Sequence, residues 1–222
     1  MKINIKNIMI KSICATLFIS LFLSCNNAGP ELRDGQAAMA DGRVIDLVEV
    51  SGKIKEVSTF VVNVKEIETL VKSIIDGISK GIKKKIGQNG LEDDSGAGAH
   101  YTPLLAGAYK VAEIIEKKSK ELKVTEFFKG LEDKVKAVAH KAEEFVKKLR
   151  TSSADLGTAS GAATDANAKK AIDINDSGKD KGASELITLN KAIGDLLNAA
   201  NEVLKGTIKG VKEPARLEVV TK

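Results

Sequence analysis

The sequence predicts an all-α protein: an up-down bundle of four long helices plus one short helix, with long first and last helices. Three observations carry that expectation. Aliphatic residues recur at three- and four-residue steps through four separate stretches. Runs rich in Gly, Ser and Asp separate those stretches. No stretch alternates like a strand for more than a few residues. Aromatics make up 4 % of the chain and Trp is absent, which suits helices stacked on aliphatic seams.

The first long helix is expected to start near Val44. Ile54, Val57, Val61, Val64, Val71, Ile75, Ile78 and Ile82 form its stripe, and Glu68 interrupts it. Many of these residues are β-branched, so tertiary packing rather than intrinsic propensity must hold the helix. A second stripe of Phe60, Ile67 and Ile74 runs beside the first at seven-residue steps. It either widens the core face or seals a two-fold dimer by meeting its own copy. Gly77 and Gly81 weaken the end of the helix, and the pattern dissolves around Gly87.

Residues 88–101 (QNGLEDDSGAGAHY) read as a loop. Thr102 and Pro103 then read as N-cap and first helical position of the second helix, whose stripe is Leu104, Ala108, Val111, Ile115 and Leu122. The third helix has the cleanest pattern: Phe128, Leu131, Val135, Val138, Ala142, Phe145 and Leu149. Residues 151–163 are a small-residue loop. A short helix over 165–174 carries Ala168, Ala171 and Ile172. The last long helix starts near Ala183, with Leu186, Leu189, Ile193, Leu196, Ala200, Leu204 and Val211 inward, and ends before Pro214. In simple up-down order, Arg43 and Lys212 share one end and the loops at 88–101 and 151–163 the other.

The N-terminus carries a different message. Residues 1–11 hold Lys2, Lys6 and Lys11 and no acid. Residues 12–24 are mostly apolar, and Ser24 then precedes Cys25. This is the layout of a lipoprotein signal peptide over 1–24, cleaved before Cys25. The apolar run is shorter than the roughly 20 residues needed to cross a bilayer. Phe22 stands three before the Cys, where Leu is commonest. The plain alternative is an ordinary Cys at the end of a signal. In the lipoprotein reading Cys25 carries the acyl chains, residues 25–42 are a lipidated tether, 43–212 the bundle and 213–222 a tail. Cys14 leaves with the signal, so no disulfide and no thiolate metal site remains. Loss of three lysines also lowers the formal net charge from +5 to +2, which does not point to nucleic acid.

The rest of the chain offers little chemistry. His100 and His140 have no partner at helical spacing, and Asp93, Asp94 and His100 do not make a fixed ligand set, so no metal is expected. There is no nucleophile elbow and no phosphate-cradling loop, so neither catalysis nor a cofactor is expected. Lysines cluster at three places. Lys83, Lys84 and Lys85 form the best candidate anionic-ligand patch, because no acid lies between Ser79 and Gln88. A glycosaminoglycan or an anionic serum protein could bind there by charge; the plain reading is solubility.

A series of short runs then carries a resemblance: DGQAA over 34–38, DGRVIDL over 41–47, LVKS over 70–73, LAGAY over 105–109, ADLG over 154–157, AKKAI over 168–172 and KDKGA over 179–183. In this order, behind this signal, the chain resembles the variable small proteins of relapsing-fever spirochaetes and their relative, outer surface protein C. Residues 110–150 match least. The resemblance implies a helical bundle, an outer-membrane lipid anchor at Cys25, exposure to the host and its antibodies, and a homodimer. It also implies an exchangeable, serotype-defining antigen that evades immunity, and adhesion to host ligands that differ among relatives. It carries over no catalytic residue. The competing expectation is a periplasmic helical lipoprotein that binds a small or lipid ligand inside its bundle.

Overall fold

The computed structural model describes residues 33–38, 44–94, 100–157 and 163–212. The signal, Cys25 and the tail at 213–222 lie outside them. The fold is all-α, with two short two-stranded ribbons added. Two compact units divide it: one runs to Val62 and resumes at Ala200, and the other is Asn63–Ala199.

The first unit opens on β1 (Gln36–Ala38) and β2 (Val44–Asp46), antiparallel, with Ala37 opposite Ile45. The expected tether therefore includes a strand, and the first helix starts three residues later than Val44. Asp46 is the reason. Its carboxylate accepts the backbone N–H groups of Val48 and Glu49 at 2.9 and 3.0 Å, which caps α1 (Leu47–Lys72). Ile45, Ile54, Val57 and Phe60 are buried. The last part of α6 (Ala183–Lys212) completes this unit.

In the second unit α1 continues with Val64, Ile67 and Val71 buried. A π turn (Ser73–Gly77) follows, then a 3-10 turn (Ile78–Gly81). The wider turn moves the inward face one place along, so Ser79 is buried where the stripe predicts Ile78. The Ser79 hydroxyl donates to the Ile75 carbonyl at 2.5 Å and is thereby satisfied. Glu68, the interruption in the stripe, is 9 % exposed. Lys65 bonds one of its oxygens and Lys72 the other, the latter at 3.0 Å. Burial raises its pKa, but the two lysines outweigh burial and hold it below the ordinary value.

Next comes a hairpin in place of the expected loop: β3 (Lys84–Gly87) pairs antiparallel with β4 (Gly90–Asp93). Gly90 leaves the turn at φ +117°, a conformation that strains any L side chain. α2 (Thr102–Lys120) has Pro103 in its first turn. Thr102 is not its N-cap, however. The Thr102 hydroxyl accepts the Ala163 N–H at 2.9 Å and so ties down a segment 61 residues away. The inward face of α2 is Leu105, Ala108, Ala112, Ile115 and Ser119, rotated from the stripe through Leu104 and Val111.

α2 packs on α3 (Glu132–Thr151), which a 3-10 turn (Glu126–Leu131) introduces. Every residue of the third predicted stripe, from Phe128 to Leu149, is buried. The expected loop after α3 contains one helical turn, α4 (Ser153–Leu156). Thr164 caps α5 (Asp165–Ile172) by accepting the Asn167 N–H at 3.2 Å. Gly182 enters α6 at φ +146°, where an added Cβ would meet the Ala171 carbonyl oxygen at 2.7 Å and Leu149 at 2.9 Å. Only glycine lets these elements approach so closely. Leu186, Leu189, Ile193, Leu196 and Ala200 form the inward stripe of α6.

Candidate functional site

The lysine patch lies at the base of the β3–β4 hairpin, and its three members have three different settings. Lys83 is the one described non-glycine residue with positive φ, at +62°. Such a conformation costs energy and must be held from outside. Two bonds hold it. The Lys83 N–H donates to the hydroxyl of buried Tyr101 at 2.8 Å, and its ammonium meets Asp165, the first residue of α5, at 2.9 Å. The bond to Asp165 raises the Lys83 pKa and lowers that of Asp165.

Lys84 crosses to β4 and meets Asp93 at 2.5 Å, which holds the Asp93 carboxyl below its ordinary value. Lys85 has no ion partner among the described residues. Its cross-strand neighbour is Glu92. The Glu92 carboxylate instead lies over Gly87, where an added Cβ would come within 2.0 Å of it. Folding thus supplies the acids that are absent from 79–88, and two of the three positive charges are answered from β4 and α5. The patch is a mixed-charge surface carrying one unanswered ammonium, not a block of three.

The residues of the candidate dimer face are buried within the single chain. Phe60, Ile67 and Ile74 are 5 %, 1 % and 0 % exposed in the single chain. They belong to the chain's own core and leave almost no surface for a second copy. His100 is exposed in a loop, and exposed His140 approaches Glu144 at 3.4 Å. Among the described residues no group of His, Cys, Asp and Glu could hold a metal ion, and no helix is long and apolar enough to cross a membrane.

Hollows open on the second unit, two of them along α3. One, of about 290 Å³, is apolar and lined by Leu105, Ala106, Tyr109, Leu149 and Leu156, with Arg150 beside them. The other, of about 370 Å³, is polar and lies where Lys141, Lys147 and Lys148 of α3 face Ser184 and Glu185 of α6.

The family described as Lipoprotein matches residues 44–217. Variable small protein 11 of Borrelia hermsii is 38 % identical over 213 residues, covering 93 % of this chain and 98 % of that protein. The chain belongs to this lipoprotein family. Outer surface protein C of Borreliella burgdorferi is 40 % identical over 214 residues, covering 94 % of this chain and 95 % of its own length. Among solved structures, variable small protein 1 of Borrelia turicatae is 40 % identical, with a TM-score of 0.69 over 75 % of this chain and 99 % of that one. Family and relatives carry the names of lipoproteins and surface proteins, and no enzyme is among them. The family match begins at Val44, the first residue of β2.

Two features escape a reading by helical periodicity. The hairpin is one, although Asn89-Gly90 between two short runs is a recognised hairpin signal. The other is the long-range tie of Lys83 to Tyr101 and Asp165, for which no local pattern exists.

Proposed function

We propose that this protein is a lipid-anchored surface antigen of a spirochaete, held to the outer membrane through acyl chains on Cys25 and displayed on the extracellular face. The observation that carries the reading is likeness to a variable small protein and to outer surface protein C along more than nine-tenths of the chain. The signal layout before Cys25 supports the anchor. Two or three acyl chains give stable attachment, since a single chain binds only marginally. The mechanism is display. Rigid helices present exposed helix faces and loops to host antibodies, and exchange for a variant chain changes what those antibodies see. Assembly as a homodimer belongs to the same reading, with an interface outside Phe60, Ile67 and Ile74. Adhesion to a host ligand centres on the hairpin, where Lys85 is unanswered.

A second reading has one observation behind it. The apolar hollow beside Leu105 and Leu149 could take a small or lipid ligand in a periplasmic protein. Protease treatment of intact cells separates the two, with a periplasmic protein followed as control. Display predicts loss of the full-length band while the control survives. A band that survives on intact cells and is digested only after the outer membrane is permeabilised would overturn it. Chloroform extraction of the purified protein would then test for a bound lipid.

A further inference from the structure

β3 and β4 form a sheet of two strands, and no third strand pairs with either among the described residues. Ile86 and Leu91 are direct cross-strand partners, yet they are 88 % and 65 % exposed. A lone two-stranded hairpin is marginal in water. This one is anchored at its base, by buried Ile82 and by the bonds of Lys83 to Tyr101 and Asp165. An exposed aliphatic pair at the free end of an anchored ribbon invites cover.

The ladder shows where cover can attach. The Asp94 N–H donates to the Lys83 carbonyl at 3.0 Å, which makes this a hydrogen-bonded pair. Antiparallel pairs alternate, so Lys84 and Ile86 turn their N–H and C=O groups away from β4, toward the open edge of β3. Side chains alternate too. Ile86 and Leu91 share one face, and Lys85 and Glu92 the other.

Charge selects the occupant. Pairing β3 with its own copy would set lysines against lysines, and β4 with β4 would set Glu92 and Asp93 against themselves; like charges across a ladder destabilise it. A head-to-tail pairing of β3 with another chain's β4 matches charges but never closes, and it grows as an open filament. We propose that the β3 edge takes, by strand addition, an extended segment of a partner protein in which acidic residues alternate with aliphatic ones. The aliphatic side chains cover Ile86, the acids on the opposite face meet Lys85, and backbone bonds form to Lys84 and Ile86. The display reading supplies the partner's source, the host, but the binding itself does not depend on it.

The test uses the purified full-length chain and a short fluorescent peptide alternating glutamate and valine, read by anisotropy. A second peptide carries N-methyl groups on alternate amides, which removes ladder donors and keeps the side chains. Saturable binding is expected, weakened about tenfold by N-methylation, because two net hydrogen bonds are lost. Ile86→Ser and Lys85→Glu should each weaken it to a similar degree. Both positions are exposed, so the fold should survive, as circular dichroism would verify. Absence of saturable binding, or binding indifferent to N-methylation and to both variants, would overturn the proposal. So would self-association of the parent chain that Ile86→Ser abolishes, which would make the occupant a second copy. Peptide binding in solution and protease exposure on cells are separate readouts, so either reading can fail without the other.

Discussion

At the scale of single residues, Glu68 shows how a misfit in a pattern is made tolerable. A carboxylate on the inward stripe of α1 should be costly unless paired. Lys65 and Lys72, one turn to either side, pair it while keeping about half of their own side chains in water. Its folded pKa lies below the ordinary one, so the sign of its pH effect follows. The stabilisation is present above the ordinary Glu range and is lost as pH falls through the folded value. Glu68→Gln should cost up to about 1 kcal/mol at neutral pH, the upper end for pairs with exposed partners. For a chain of this size that is roughly 2–4 °C in Tm. Thermal melts of parent and variant between neutrality and strong acid should converge below the ordinary Glu pKa of about 4.3. A gap that stays constant across that range would show that shape, not charge, is what Glu68 contributes.

At the scale of elements, spacing distinguishes a buried face well and an interface poorly. The seven-residue series Phe60, Ile67, Ile74 fits a dimer seam and a widened core face equally, because both need the same periodicity. Burial in the single chain favours the core face. Ile67→Ala and Ile74→Ala should therefore each destabilise the fold by about 2–5 kcal/mol, as large-to-small core changes do. The loss in Tm should not vary with protein concentration. A loss that does vary with it would restore the interface, since stability of an associating chain depends on mass action. The third helix was legible throughout, because Phe128 to Leu149 keep an unbroken α-helical step. So was α5, whose Thr164 cap and buried Ala168, Ala171 and Ile172 are all local signals. Legibility ended wherever the backbone left the α register. The π turn at Ser73–Gly77 shifts the stripe by a residue and replaces Ile78 with Ser79. In α2, Ala108 and Ile115 of the expected stripe are buried, but Leu105, Ala112 and Ser119 accompany them in place of Leu104 and Val111. The strands of four residues or fewer are too short for alternation to register. At the candidate site, the lysine run was visible but its neutralisation was not, since Asp165 comes from 82 positions further along the chain.

At the scale of the whole molecule, the proposed anchor rests on the sulfur of Cys25, which lies outside the described residues. Ten residues separate Cys25 from Gln36, the first residue of β1. Fully extended, the link spans at most about 40 Å. Each buried CH₂ of an acyl chain contributes roughly 0.8 kcal/mol, so in the proposed reading attachment rests on lipid, not on protein surface. Cys25→Ala should leave the fold intact while abolishing incorporation of labelled palmitate. The variant should also keep the mass of its signal segment, because processing of this class of signal depends on the cysteine. Membrane fractionation alone would mislead, since an uncleaved apolar segment at 12–24 can itself hold the precursor to a bilayer. Palmitate label and intact mass are therefore the readouts that discriminate. Cys14 is the only other cysteine in the chain. If label persists in Cys25→Ala, the doubly substituted Cys14→Ala and Cys25→Ala chain shows whether the lipid sits on a thiol at all, and persistence there would remove the lipoprotein anchor from Cys25.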